Sequence, residues 1–209
     1  MKNRKLSLPR PFIAALALAA AVGVAPKQAE ACGGGWYEAP MIDYRIQGVA
    51  RAEKRLEEGQ YAQAASAVIR MIPHIAGYTK ATRDPIINRA LRVLAVATTR
   101  SEGSLDIGKL ISKDQHGTWL GDTAEDRQAN LRFSVAALRG VKKLKVQSDP
   151  TLESELGEAL ALVPAFSVEG RELLHTLAEK DLLTTPEAYA TLAKLRGEVG
   201  DADGRTAAL

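Results

Sequence analysis

Two amphipathic segments meet at Gly59 and constrain the fold of the surrounding chain. After this glycine, apolar residues recur at three- and four-residue intervals, the spacing of one face of an α-helix. They are Tyr61, Ala64, Ala65, Val68, Met71 and Ile72. Glycine is favoured immediately after a helix end, so the two segments are predicted to form a helical hairpin. Alanines at positions 52, 64 and 65 would let its two backbones approach closely.

The same spacing recurs along the rest of the chain, where several segments begin with a helix-start signal. Asp84-Pro85 and Asp149-Pro150 each place a capping carboxylate before a proline, which loses no hydrogen bond in the first turn. Thr185-Pro186 places a threonine before a proline in the same way, and Ser167 is expected to cap another helix. No stretch alternates clearly enough to predict a strand. The predicted fold is all-α, with antiparallel helical hairpins stacked as a short array or an irregular helical bundle over residues 41–209.

Residues 1–31 are predicted to be a signal peptide rather than part of this fold. A basic start is followed by an apolar run over 12–24, too short and alanine-rich for a convincing membrane span. Ala29-Glu30-Ala31 then has the small-residue pattern that signal peptidase accepts. Cleavage is expected after Ala31, with export to the bacterial periplasm or outside the cell. A retained N-terminal anchor is the alternative.

Cys32 would be the first residue of the exported chain, which leaves a second fate open. Its position at the cut, before three glycines, would suit lipidation and a membrane tether. However, Ala29 stands where a lipoprotein signal usually has leucine, and the charged Glu30 is poorly suited to a site within the bilayer. A free Cys32 is therefore predicted, with a membrane-anchored lipoprotein as the alternative. Residues 32–40 are predicted to be a flexible, glycine-rich lead-in.

The charge balance excludes nucleic acid as a predicted partner. Of the 28 basic and 25 acidic residues, five basic ones and one acid lie in the first 31 residues, which leaves a net charge of −1 for the remainder. No basic stripe with interleaved aromatic residues follows the chain. The short run Lys142, Lys143 and Lys145 is interpreted as a solvated helix end, where cations complement the carbonyl terminus.

The turn at Gly59 and the residues around it resemble the tetratricopeptide repeat, a helix–turn–helix unit. The matching residues are Ala52, Gly59, Tyr61 and Ala64, and similarly Tyr189, Leu192, Ala193 and Gly200 near the C-terminus. The resemblance implies stacked helix pairs with a groove that binds another protein or a peptide. The groove-facing positions of the family fall near Ile46, Val49, Glu53 and Leu56. An unrelated helical bundle is the alternative.

One glycine-rich stretch carries a possible ligand site. The longest segment without helical periodicity spans residues 102–121. Four polar or aromatic residues lie close together in it and at the position that follows it: Asp114, His116, Trp119 and Asp122. A carboxylate, an imidazole and an indole in one loop could hold a metal or a polar ligand. The favoured interpretation is an ordinary polar loop anchored by Trp119. The other histidines, His74 and His175, have no second ligand at metal-binding spacing.

Catalytic sequence motifs are also lacking: no nucleophile elbow, zinc-protease motif or phosphate-binding loop occurs. Glu57-Glu58 and the pair Glu153 and Glu155 are expected on solvent-facing helix positions. No catalytic, cofactor-binding or metal-binding residue is therefore assigned. The predicted function is an exported, non-enzymatic scaffold of the cell envelope that binds another envelope protein or a peptide. A small-ligand or metal-binding protein that uses the Asp114–Asp122 loop is the alternative.

Overall fold

The computed structural model describes residues 43–78, 82–105 and 123–207, which all belong to one compact unit. Within these ranges the regular structure is helical and contains no strand. The α-helices are α1 (Tyr44–Glu57), α2 (Tyr61–Met71), α3 (Pro85–Arg100), α4 (Ala124–Lys143), α5 (Pro150–Ala161), α6 (Ser167–Glu179), α7 (Pro186–Glu198) and α8 (Ala202–Ala207). The prediction of an all-α fold is confirmed.

The predicted start signals act as helix caps. Asp84 Oδ1 accepts a hydrogen bond of 2.8 Å from the backbone N–H of Ile86, at the start of α3. Asp149 Oδ1 accepts one of 3.2 Å from Leu152 N–H, at the start of α5. Thr185 does the same for α7. Each bond satisfies a backbone donor that the first helical turn leaves free.

Each of the helices α1 to α7 packs on the next helix that the structure describes, so these successive described helices lie against one another in pairs. The odd-numbered helices also contact one another in order: α1 touches α3, α3 touches α5, and α5 touches α7. We call α1, α3, α5 and α7 the odd-helix layer. This arrangement is consistent with a helical array or a bundle.

The core is continuous from α1 to α5, and a smaller cluster joins α6 to α7. The largest fully buried side chains of the two clusters together include Ile69, Ile75, Leu91, Leu94, Leu138, Leu152, Leu160, Leu174 and Leu192. At the contact between α5 and α6, a Cβ atom on Gly170 would come within 2.6 Å of the backbone nitrogen of Ala161. The missing side chain therefore sets how closely these two helices approach. Among the described residues, no helix is long and apolar enough to cross a membrane.

Several helix boundaries differ from those predicted. Helical periodicity predicts a helix over 124–139, but α4 continues to Lys143. Ser167 does not cap α6, because Phe166 occupies that position and Ser167 is the first helical residue. The sequence also predicts Gly200 as a helix C-cap; Gly200 follows the end of α7 with a φ of +78°, but the chain then forms the short helix α8.

Candidate functional site

Arginines of α3 form ion pairs with glutamates on the neighbouring helices of the odd-helix layer. Arg89 Nε donates a hydrogen bond of 2.9 Å to Glu53 of α1, in a largely exposed pair. Arg92 binds Glu155 of α5 through two bonds, 2.6 Å from Nε and 2.9 Å from Nη2. Such two-bond pairs fix orientation as well as distance. Helix α3 is thus tied by charge to the helix on either side of it.

Arg100, at the end of α3, connects three helices. Its Nε lies 3.2 Å from Glu158 of α5, and its Nη1 lies 3.6 Å from Glu187 of α7. Thr185 donates a hydrogen bond of 2.6 Å to Glu158, and the Tyr61 hydroxyl donates one of 3.5 Å to Glu187. The Arg100 side chain is 11% exposed and that of Glu158 only 3%. Each charge in this buried network therefore has a partner.

Burial and pairing act in opposite directions on these groups. Burial lowers the pKa of Arg100, but the nearby Glu158 and Glu187 carboxylates outweigh it, so the pKa lies above its usual value. Burial also raises the pKa of Glu155, and the bonds from Arg92 offset only part of that effect. Desolvation disfavours the charged form of a group, whereas a bonded opposite charge favours it. Arg92 therefore offsets part of the cost of burying the charged Glu155 carboxylate.

A cleft of about 310 Å³ opens between the last turns of α3 and α5 and the length of α7, with Tyr61 at its edge. We call it the α7 cleft. Its charged lining residues are Arg100, Glu102, Glu158, Glu187, Lys194 and Glu198. Four carboxylates thus face two cations. Because helix carboxyl ends carry partial negative charge, the ends of α3 and α5 add to this excess.

A second cleft, of about 370 Å³, lies on the odd-helix layer between α1, α3 and α5. We call it the α1 cleft. Its lining includes Glu53, Glu57, Arg92, Arg100, Thr151 and Glu155. Arg100 lines both clefts, so they adjoin at its side chain. Together they form a surface along the layer, and interhelical pairs hold part of its charged groups, namely Glu53, Arg92, Arg100, Glu155, Glu158 and Glu187.

The groove-facing positions implied by the tetratricopeptide resemblance fall in different places. Glu53 and Leu56 both line the α1 cleft. Val49 is fully buried in the core, and Ile46 is 48% exposed. Two of the four positions therefore line the α1 cleft, and none of them is one of its arginines.

The buried glutamates of α5 contradict one expectation from the sequence. Glu155 was expected to face solvent but is buried, because every residue of α5 from Ser154 to Leu160 is enclosed by neighbouring helices. Its partner Arg92 lies 63 positions away in the chain. No local pattern marks such a pair. The one available signal was that Glu155 and Glu158 share a helix face at i, i+3 spacing.

The predicted metal-binding alternative and the processing site lie where the structure gives no description. Asp114–Asp122, with His116 and Trp119, is outside the described residues, as are Ala31 and Cys32. Within the described ranges, no three His, Cys, Asp or Glu side chains are placed to hold a metal ion.

The two described histidines lie at the protein surface. His74 is exposed after the end of α2. His175 lies on an exposed face of α6, where its Nδ1 is 2.7 Å from Arg196 Nη2. The apolar neighbours of His175 in the sequence predict a helix-face or boundary residue, and its position on α6 agrees with this.

The adjoining clefts offer carboxylates, threonine hydroxyls and the guanidinium group of Arg100, which lines both. These groups are suited to hydrogen-bonding a polar segment of a peptide or protein. A scan against protein-family models finds no match for the chain, and comparisons with curated proteins and with solved structures also find no significant match.

Proposed function

We propose that this protein is an exported, non-enzymatic scaffold that binds a segment of another envelope protein, or a peptide, along its odd-helix layer. The observation that supports it is the shared position of Arg100, which lines both the α7 cleft and the α1 cleft. A bound segment could thus run from one cleft to the other. Its backbone and side chains would meet paired charges on both sides of Arg100.

The charge of the α7 cleft favours a segment with basic side chains. Its lining has a net charge of −2, and two helix carboxyl ends face the same space. Ala190 and Thr191 of α7 provide small residues between the charged ones, which leaves room for an extended backbone. Complementary charge of this kind speeds encounter and selects partners more than it adds affinity.

The packing order supports a relationship to tetratricopeptide-like arrays. In such arrays one set of helices lines the binding surface, and alternate helices of this chain lie side by side in the same way. Residues of α1, α3 and α5 and the cap of α7 all contribute to the α1 cleft. We propose that the odd-helix layer is the equivalent binding face.

Site-specific photo-crosslinking in the envelope would test this function. A photoreactive residue would replace Ala190 in the α7 cleft or Thr151 in the α1 cleft, and Ala136 on an exposed face of α4 would serve as the matched control. The proposal expects the same partner adduct from both cleft positions and none from Ala136. Adducts that form equally at Ala136, or at none of the three positions, would contradict it.

Export is the second part of the proposal, and the mass of the mature N-terminal peptide tests it. Cleavage after Ala31 with a free Cys32 would agree with a protein released into the periplasm or outside the cell. A diacylglycerol-sized increment on Cys32 would replace that location with a membrane tether. A chain that keeps residues 1–31 would contradict export with cleavage.

A further inference from the structure

We propose that a groove between α1 and α2 binds an acidic segment of a partner protein. This groove, of about 600 Å³, has Tyr44, Gly48, Arg51, Arg55, Arg70 and Met71 in its lining. We call it the arginine groove. The inference does not depend on the function proposed for the odd-helix layer, because it rests on other residues.

The arginine groove and the α1 cleft lie on opposite faces of α1. Tyr44, Gly48, Arg51 and Arg55 follow one another at intervals of four, three and four residues and so share one face. Glu53, which lines the α1 cleft, is two residues from both Arg51 and Arg55. Residues two apart on a helix point away from each other. A ligand in the groove would therefore leave the α1 cleft free.

Positive charge dominates the groove. Four arginines line it and no carboxylate does. Arg45 is already neutralised, since it lies 2.7 Å from Asp43 and 3.0 Å from Asp84. The charge available to a ligand therefore comes from the other three arginines.

These three arginines have no carboxylate partner among the described residues. Arg55 Nη1 donates to the carbonyl oxygen of Gln63 at 3.5 Å, and Arg70 Nη2 donates to the hydroxyl of Ser66 at 3.4 Å. Both acceptors are uncharged, and the side chains of Arg51 and Arg70 are exposed. The three guanidinium groups thus keep most of their capacity to bind an anion.

The contrast lies in the arginines of α3, each of which has a glutamate partner. Arg89 binds Glu53, Arg92 binds Glu155, and Arg100 binds Glu158. Arg51 and Arg55, by comparison, are a like-charge pair at i, i+4 spacing, which destabilises a helix. An anionic ligand would remove this repulsion.

The floor of the groove is apolar. The Met71 thioether lies directly over the backbone of α1, because a Cβ atom on Gly48 would come within 2.6 Å of its Sδ and Cε atoms. Ala67 lies beside it in the lining. A suitable ligand therefore combines carboxylates for the arginine walls with apolar groups for the floor.

An acidic peptide segment fits these features better than an anionic membrane. A bilayer surface is broad, so it would meet projecting side chains rather than a floor enclosed between two helices. A peptide strand is narrow enough to enter, and alternate side chains can reach the walls and the floor. Guanidinium groups also match carboxylates through two parallel hydrogen bonds.

The test uses a fluorescein-labelled octapeptide of alternating glutamate and leucine, with fluorescence anisotropy at low salt. The proposal expects saturable binding that weakens as salt is added. The double variant Arg51→Ala with Arg70→Ala should weaken binding at least about tenfold, as expected for loss of charge-assisted hydrogen bonds. The melting temperature of this variant should stay the same or rise, because loss of Arg51 removes its repulsion with Arg55.

Arg132→Ala with Arg171→Ala, on α4 and α6, is the matched control and should bind like the parent. A lysine–leucine peptide, which the α7 cleft could accept, should bind the parent and the Arg51→Ala, Arg70→Ala variant equally. The inference is overturned if the acidic peptide does not bind, if the control weakens its binding equally, or if loss of Arg51 and Arg70 weakens binding of the lysine peptide as much as that of the acidic one. It is also overturned if phosphatidylglycerol vesicles, but not the peptide, bind in a way that requires Arg51 and Arg70. None of these outcomes bears on the crosslinks expected from Ala190.

Discussion

Glu155 accepts both hydrogen bonds from the Arg92 guanidinium group, although the two partners are unequally buried. The Glu155 side chain is 6% exposed, whereas that of Arg92 is 35% exposed. Removing the arginine would therefore leave a carboxylate enclosed by helices without its counter-ion. Removing one partner of a buried ion pair destabilises a protein by more than the intact pair stabilises it, because the remaining charge is buried without compensation.

Arg92→Ala should lower the free energy of unfolding by about 2–3 kcal/mol near neutral pH, less than for a fully buried pair because Arg92 is partly solvated. The loss should depend on pH. Burial already raises the pKa of Glu155 above 4.5, and loss of Arg92 would raise it further. Below the folded-state pKa of Glu155 the carboxyl is protonated in both folded proteins, and the deficit is small. The deficit should grow as pH rises through the folded-state pKa of Glu155 in the parent, which lies above 4.5.

Urea denaturation of the parent and the variant across this pH range would measure the effect. Arg89→Ala is the control, because its pair with Glu53 is largely exposed. It should cost no more than about 1 kcal/mol, with little dependence on pH. Equal losses in the two variants would show that burial of Glu155 does not set the energy of its pair.

Ala64→Leu should destabilise the α1–α2 hairpin by about 1–3 kcal/mol through overpacking. Ala64 is 0% exposed and lies in the core between helices, so the larger side chain has no free space. Ala50→Leu, on an exposed position of α1, is the matched control and should have little effect. Thermal melts followed by circular dichroism would decide, and similar melting of both variants would mean that Ala64 tolerates a larger group.

Gly170→Ala should destabilise by about 1–3 kcal/mol, because the new methyl group would press on backbone atoms that cannot rotate away. The nearest are Ala161 N at 2.6 Å and Leu160 C at 3.0 Å. Gly77→Ala is the control, since nothing lies within 4 Å of the corresponding position. Chemical denaturation compares the two. A neutral Gly170→Ala would imply that α5 and α6 separate without penalty.

Asp149→Ala should cost about 1 kcal/mol near pH 7 through loss of the α5 cap. Burial acts to raise the pKa of Asp149, but the Leu152 N–H and Lys145 lower it more, so it lies below 3.8. A carboxyl group whose pKa is lower in the folded state stabilises the protein at pH values above its unfolded-state pKa. This stabilisation is lost as pH falls through its folded-state pKa. The difference between parent and variant should therefore shrink below about pH 3.8.

Asp149→Asn separates the charge from the cap, because asparagine also caps helices but does not titrate in this range. Its stability relative to Asp149→Ala should remain nearly constant with pH. Guanidinium denaturation curves at several acidic pH values would measure both differences. If Asp149→Asn and Asp149→Ala are equally unstable near pH 7, the side-chain cap contributes nothing.

Helix positions were well predicted from the sequence because their signals are local. Asp84, Asp149 and Thr185 each bond to a backbone N–H two or three residues away, so capping depends on adjacent chain alone. Boundaries set by packing were less certain. Helix α4 continues to Lys143, whose neighbour Lys142 pairs with Glu153 across the next turn.

The candidate site was mostly beyond sequence reasoning because its contacts are distant along the chain. Arg100 and Glu158 are separated by 58 positions, and charges on helices ordinarily indicate a solvated face. The burial of Glu158 follows from the enclosure of α5, which no single helix encodes. The arginine groove was missed for a related reason: Arg70 and Arg51 meet only when α1 and α2 pack together.

The packing of each helix on its neighbour in sequence bears on how quickly the native state is reached. Chains whose contacts are mostly local lose little loop entropy before those contacts form, and they fold faster than chains built from distant pairings. The hairpin of α1 and α2 can close before α5 exists as a helix. We expect the bonds from Arg92 to Glu155 and from Arg100 to Glu158 to form late, in which case their removal should accelerate unfolding while hardly slowing folding.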